Sequence, residues 1–278
     1  MKRLIFLGIL VMFSFYAGNA AASTAAEQEV LTSHPISSLV GEDLSYDVSF
    51  LTFDRLAVGT IQLTKGTVPN TYLAVLEVET RGFAAFVTKD RVERFQTLME
   101  VGPDGLLRPL VHSSHSLKGK GSSQREKITN YSFDYAAKQV RFQKIKDHII
   151  HDEVSFPLET AGPVFDILSA FYNLRSGSLG PLDGEQITLP TFHRKGVEQI
   201  VIAPVDRDDL KDDGFFALNT ILRKVLVDPE IFKTGGRDLL ISFDTAGRPQ
   251  RAVVRNVIGL GDVRGVLRQV RPVLNASN

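Results

Sequence analysis

Six histidines and no cysteine limit the metal and nucleophile chemistry open to this 278-residue chain. Two His-x-x-His pairs invite a metal reading: His112 with His115, and His148 with His151. In an extended segment, residues three apart point to opposite faces, so one ion does not readily take both His112 and His115. His148 and His151 lie with Asp147, Asp152 and Glu153 in a stretch that reads as a solvated polar turn. His193 stands beside Arg194 and Lys195, whose charges repel a cation. No metal and no cofactor are expected.

The stretch from Asp206 to Gly214 carries Asp206, Asp208, Asp209, Asp212 and Asp213 and looks calcium-like at first sight. It lacks a glycine at the sixth loop position and a glutamate at the twelfth, and Leu210 and Lys211 fall where ligands are needed. A hairpin turn rich in aspartate is the better account. No serine sits in a G-x-S-x-G setting that would present a strained nucleophile. Paired carboxylates for glycoside cleavage are defined by their separation, which a sequence does not give. With no motif that carries a mechanism, the chain is expected to be non-enzymatic.

Four charged residues border apolar segments: Asp90, Arg91, Asp166 and Arg175. Such groups are seldom buried unless paired, so they are expected to form ion pairs that lock a helix to a sheet. Breaking one partner of a buried pair costs roughly 3–5 kcal/mol.

The elements that position these residues follow from hydrophobic periodicity. Leu44, Tyr46, Val48 and Phe50 alternate with Ser45, Asp47 and Ser49, a period of two that makes one strand face apolar. Similar runs recur at 58–64, 71–80, 92–99, 110–117, 127–133, 140–145, 186–192, 198–205, 218–227, 238–243, 252–258 and 262–270. Turn signals separate them, among them Gly102-Pro103-Asp104-Gly105 and Ala246-Gly247-Arg248-Pro249. One long helix is expected over 163–175. Pro163 suits a first helical turn, and Val164, Ile167, Leu168 and Phe171 form a stripe at i, i+3, i+4 and i+7. Asp166, Ser169 and Asn173 mark its polar side. A second, short helix is expected near 83–89. The fold class is mainly β: a large curved antiparallel sheet or open barrel wrapped around one central α-helix.

Lys2 and Arg3, the apolar run 4–16 and the small residues 17–22 form the tripartite pattern of a secretory signal. The run is shorter than the roughly 20 residues a membrane span needs. Cleavage is expected after Ala20 or Ala22. Residues 1–22 are thus read as signal peptide, 23–40 as a flexible leader and 41–274 as a single β-rich domain. Without Lys2 and Arg3 there remain 30 basic against 32 acidic residues, a net charge near −2. That balance argues against a nucleic-acid partner. The absence of cysteine rules out disulfides and the usual lipoprotein attachment residue. The expected location is the bacterial periplasm, with no transmembrane segment in the mature chain.

The order of motifs resembles the bacterial DUF3108 family. The resemblance rests on Gly41-Glu42-Asp43-Leu44-Ser45-Tyr46-Asp47-Val48, Gly59, Lys89-Asp90-Arg91 and Asp104-Gly105-Leu106-Leu107-Arg108-Pro109. It continues through the helix segment from Asp166 to Arg175 and the turn Phe243-Asp244-Thr245-Ala246-Gly247-Arg248-Pro249. It implies secreted or periplasmic β-rich proteins, similar in architecture to open-barrel carriers of the lipoprotein-sorting type. There a helix lies in the concave face of a sheet. It implies no catalytic set. The resulting expectation is an envelope protein that binds a lipid or other apolar molecule in that concave face. The candidate lining is Tyr46, Val48, Phe50, Tyr72, Leu76, Phe83, Phe86, Phe171 and Tyr172. The alternative is a periplasmic scaffold or assembly factor docking other envelope proteins through a strand edge.

Overall fold

The structure is a computed structural model and describes residues 36–50, 53–82, 85, 89–160, 162–193, 196–210, 214–226, 238–257 and 261–272. The expected signal peptide and most of the second short helix lie outside them. One helical turn, α1 (Ile36–Leu39), precedes the strands, and its Leu39 is buried in the main core. The expected leader therefore ends in a docked turn.

The first run of strands is β1 (Glu42–Phe50), β2 (Phe53–Lys65), β3 (Thr71–Thr80), β4 (Val92–Val101), β5 (Leu107–Lys118), β6 (Arg125–Asp134), β7 (Gln139–Lys146) and β8 (Ile149–Pro157). Helix α2 (Ile167–Arg175) follows. The second run is β9 (Ile187–His193), β10 (Gly196–Pro204), β11 (Ile221–Leu226), β12 (Asp238–Phe243), β13 (Pro249–Val257) and β14 (Gly261–Pro272). All 14 strands form one antiparallel sheet in the order β8-β7-β6-β5-β4-β3-β2-β1-β14-β13-β12-β11-β10-β9. Two meanders are thus joined where β1 pairs with β14, with Glu42 opposite Pro272 and Val48 opposite Gly265.

Period-two alternation sets the faces. On β3, Ala74, Leu76 and Val78 are buried, while Val75, Glu77 and Glu79 face outward. Leu44, Tyr46 and Val48 of β1 and Ile61 and Leu63 of β2 continue the same inner row. These side chains and α2 make the main core.

The two ends of the sheet meet through aromatic side chains. Phe192 of β9 lies 5.9 Å from Tyr131 and 6.3 Å from Phe133, both on β6, and 5.9 Å from Phe156 on β8, ring centre to ring centre. Tyr131 is paired in register with His112, which faces α2, so these rings lie on the inner face. The β9 end is therefore rolled inside the β6–β8 end, which makes the sheet an incompletely sealed barrel. The free side of β9 is covered by the segment before α2. Phe165 N–H donates to Pro190 O at 2.8 Å, and Thr191 Oγ1 donates to Phe165 O at 2.7 Å.

Two expectations need correction. The helix begins at Ile167 rather than Pro163. Residues 163–165 are extended because Phe165 bridges β9, and Asp166 starts the helix as its N-cap. The polar segment around His151 is a strand rather than a turn: only Asp147 and His148 make the turn, both with positive φ. As the outermost strand, β8 has no second strand neighbour among the described residues, so it keeps charged residues that obscure its alternation.

Candidate functional site

Helix α2 is held at three points, and each anchor is built from polar chemistry. At its start, Asp166 Oδ1 accepts from Leu168 N at 2.8 Å, and Ser169 Oγ accepts from Asp166 N at 2.9 Å, completing a reciprocal cap. The same Asp166 oxygen accepts from Thr97 Oγ1 of β4 at 2.8 Å and lies 3.3 Å from His112 Nδ1 of β5. Burial pushes the Asp166 carboxyl up. The charge of His112 and hydrogen bonds from His112, Thr97 and Ser169 outweigh that and hold it below the usual carboxylate range.

Midway along α2, Asn173 is fully buried and bonds the backbone of Leu107. At its end, Arg175 Nη1 donates to Glu42 Oε2 at 2.6 Å, and Arg175 Nε donates to Gly247 O at 2.9 Å. Burial alone would lower the Arg175 pKa, but the adjacent Glu42 carboxylate holds it above its ordinary value. Gly247 occupies a turn position with φ of 70°, a conformation glycine adopts without penalty. The polar side of the helix thus faces the sheet rather than water, since Ser169 and Asn173 are both wholly buried.

The Thr97–His112–Asp166 group has the residue types of a nucleophile relay but not its wiring. Thr97 Oγ1 lies 2.9 Å from His112 Nδ1, and Asp166 addresses that same ring nitrogen. A relay needs the nucleophile on one ring nitrogen and the carboxylate on the other. Here the hydroxyl donates to Asp166 and accepts from the imidazole, which is a structural bridge. On β5, His115 turns the other way and bonds Glu126 at 2.7 Å. Among the described residues, no group of three or more His, Cys, Asp or Glu side chains is placed to hold a metal.

The opposite side of α2 carries the candidate site. The helix runs closest to β3, β4 and β5. Its Ile167, Ala170, Phe171 and Leu174, at i, i+3, i+4 and i+7, form a single row. That row faces Ile200 and Ile202 of β10, Val225 of β11, and Leu239, Ile241 and Phe243 of β12. Between the two rows lies a narrow apolar cleft, with about 40 Å³ of free volume and a mouth open to solvent.

Of the nine residues expected to line a ligand site, six have described side chains, and among those Phe171 alone borders this cleft. Tyr46, Val48, Leu76 and Tyr172 are buried in the main core, and Tyr72 packs half-buried against it. The side chain of Phe50, and Phe83 and Phe86 entirely, lie outside the described residues. The four expected ion-pairing residues each meet an oppositely charged group or histidine. Asp166 and Arg175 tie the helix to the sheet as expected, whereas the pairs of Asp90 and Arg91 involve no helix. Asp90 pairs with Lys120 at 2.9 Å, and Arg91 with Glu93 in a buried contact. Asp166 meets His112, and Arg175 meets Glu42. Missing from the sequence reading were the cleft residues of β10 to β12. Their alternation marks an inward row, but not which inward row the helix covers closely.

A 14-stranded sheet rolled around a single anchored helix defines a barrel-like β-protein with an internal apolar cleft. Residues 45–268 match the family described as "Protein of unknown function (DUF3108)", and the chain belongs to that family. It is also similar to a crystal structure of a "Beta-barrel-like Protein of Domain of Unknown Function DUF1849 from Brucella abortus". Identity is 11%, the match covers 84% of this chain and 97% of that one, and the TM-score is 0.46. No curated protein matches the chain. Among the described residues, no helix is long and apolar enough to cross a membrane.

Proposed function

We propose that this protein is a non-enzymatic component of the bacterial cell envelope that holds an apolar chain in the cleft between α2 and β10–β12. The observation that carries the reading is the lining: ten side chains, all apolar, bound one continuous opening. Three polar anchors draw α2 toward β1, β4 and β5 and leave its opposite row facing this opening. Each methylene moved from water into such a cleft contributes about 0.8 kcal/mol. The basic pair Lys2 and Arg3 and the apolar run behind it support export to the periplasm.

The test is native mass spectrometry and solvent extraction of the protein purified from a periplasmic fraction, with titration of an uncharged apolar dye. Co-purified lipid or saturable dye binding supports the proposal. Protein that carries no lipid and leaves the dye dark overturns it.

A second reading, as an envelope scaffold, is favoured by one feature of β8. This outermost strand exposes Ile149 by 65% and Ile150 by 54%, and an unpaired edge accepts an added strand. Cross-linking in intact cells that returns one stoichiometric protein partner through β8 supports it; recovery of monomer alone overturns it.

A further inference from the structure

A buried cation stands behind the apolar lining of the cleft, on the same inward row of strands but outside the ten lining side chains. Arg223 of β11 lies between Ile221 and Val225, on the row that faces the main core. Its in-register neighbour on β12 is Ile241, and Val225 two positions on is paired with Ile202. Directly paired residues share a face, so Arg223 shares a face with Ile202, Val225 and Ile241, all lining residues. Its residue exposure is 0%.

No carboxylate forms an ion pair with Arg223 among the described residues. Its guanidinium donates only to backbone carbonyls: Nη1 to Gly184 O, and Nη2 to Glu185 O at 2.8 Å and to Ile202 O at 3.4 Å. Nε is buried and makes no hydrogen bond. Burial disfavours its charged form, and Asp183, exposed on the segment before β9, is the acid whose field acts against that. A guanidinium nevertheless stays protonated in proteins. An isolated buried charge is costly unless something neutralises it, and the carbonyl dipoles supply no net charge.

We propose that Arg223 is the anchor for an anionic head group, so that the cleft takes an amphiphile with a carboxylate or comparable acid at one end of an alkyl chain. This inference rests on the cleft reading and adds the class of ligand. A carboxylate at Nε receives a charge-assisted hydrogen bond that no neutral head group can match, while the chain runs along Ile202, Val225 and Ile241.

The test is displacement of N-phenyl-1-naphthylamine, an uncharged apolar dye, from the full chain by hexadecanoic acid and by hexadecan-1-ol at about pH 8. The expected result is that the acid competes roughly tenfold or more better than the alcohol. Arg223→Met should bring the acid down to the level of the alcohol and leave the alcohol unchanged, while Arg223→Lys keeps part of the preference. Should Arg223→Met fail to fold, the acid-to-alcohol ratio in the unaltered protein and in Arg223→Lys still decides. Equal competition by acid and alcohol in the unaltered protein overturns the anchor and leaves the apolar cleft standing. Failure of the dye and both competitors to bind overturns the cleft reading and the anchor together.

Discussion

Asn173 replaces a missing strand for Leu107. Its Nδ2 donates to Leu107 O at 2.7 Å, and its Oδ1 accepts from Leu107 N at 2.8 Å. The pairing of β5 with β6 starts only at Val111, so Leu107 lies beyond that ladder. One amide side chain on the helix supplies both the donor and the acceptor. Removing it leaves two buried backbone groups without partners, each worth roughly 1–3 kcal/mol. Asn173→Ala should therefore lower stability by about 2–4 kcal/mol, measured as a shift in the urea midpoint. Asn173→Asp keeps the acceptor but sets an anion against a carbonyl and should be no better.

Glu42 and Arg175 form the anchor at the other end of α2. Arg175 is 1% exposed at its side chain and stacks 5.4 Å from the ring centre of Phe171. Glu42→Ala leaves that guanidinium buried without its counter-charge and should cost about 3–5 kcal/mol. Adding Arg175→Met to Glu42→Ala should recover part of the loss in a double-mutant cycle, since the stranded charge is then gone.

Asp166 gives the protein a defined acid response. Its carboxyl titrates below the usual range in the folded state, so its contribution to stability is fully present above the unfolded value near 3.9. That contribution fades as pH falls through the lower, folded value. Asp166→Asn keeps the cap geometry but removes the charge. The stability gap between wild type and Asp166→Asn should be widest above about pH 4 and shrink below it, read from urea midpoints along a pH series.

The cleft can be filled without dismantling the fold. Val225 is half-buried and borders the opening opposite α2. Val225→Phe should remove binding of an apolar dye and change stability by less than about 1.5 kcal/mol, since the added ring enters unfilled space instead of packed core. Phe171→Ala behaves differently: Phe171 is 6% exposed, and its truncation should cost on the order of 3–5 kcal/mol. Dye titration beside denaturant unfolding separates the two outcomes.

Strand alternation was legible because one face of this sheet is buried and the other is not. Leu44, Tyr46 and Val48 sit inward as their spacing requires. The strand β8 was not legible, because an outermost strand with exposed Ile149 and Ile150 does not sort its residues into two faces. Asn173 and Ser169 read as a polar helix side, and only the position of Leu107 and Thr97 explains why that side is buried. Arg223 gave no signal at all, since a charged residue between two apolar ones is the normal pattern of a strand with a wet face. Which inward row meets the helix depends on how the sheet rolls, and rolling is a property of the whole sheet.

The pairing of β1 with β14 has a consequence in time. Every other strand pair joins neighbours along the chain, so each meander can zip up locally as it is formed. The β1–β14 ladder brings together Glu42 and Pro272, and it must wait until the last strand exists. Until then Leu44, Tyr46 and Val48 belong to an open edge, which is the state most exposed to strand-to-strand aggregation. The slow step in maturation is thus the welding of two finished halves at the middle of the sheet, and any shortening of β14 should stall the chain there.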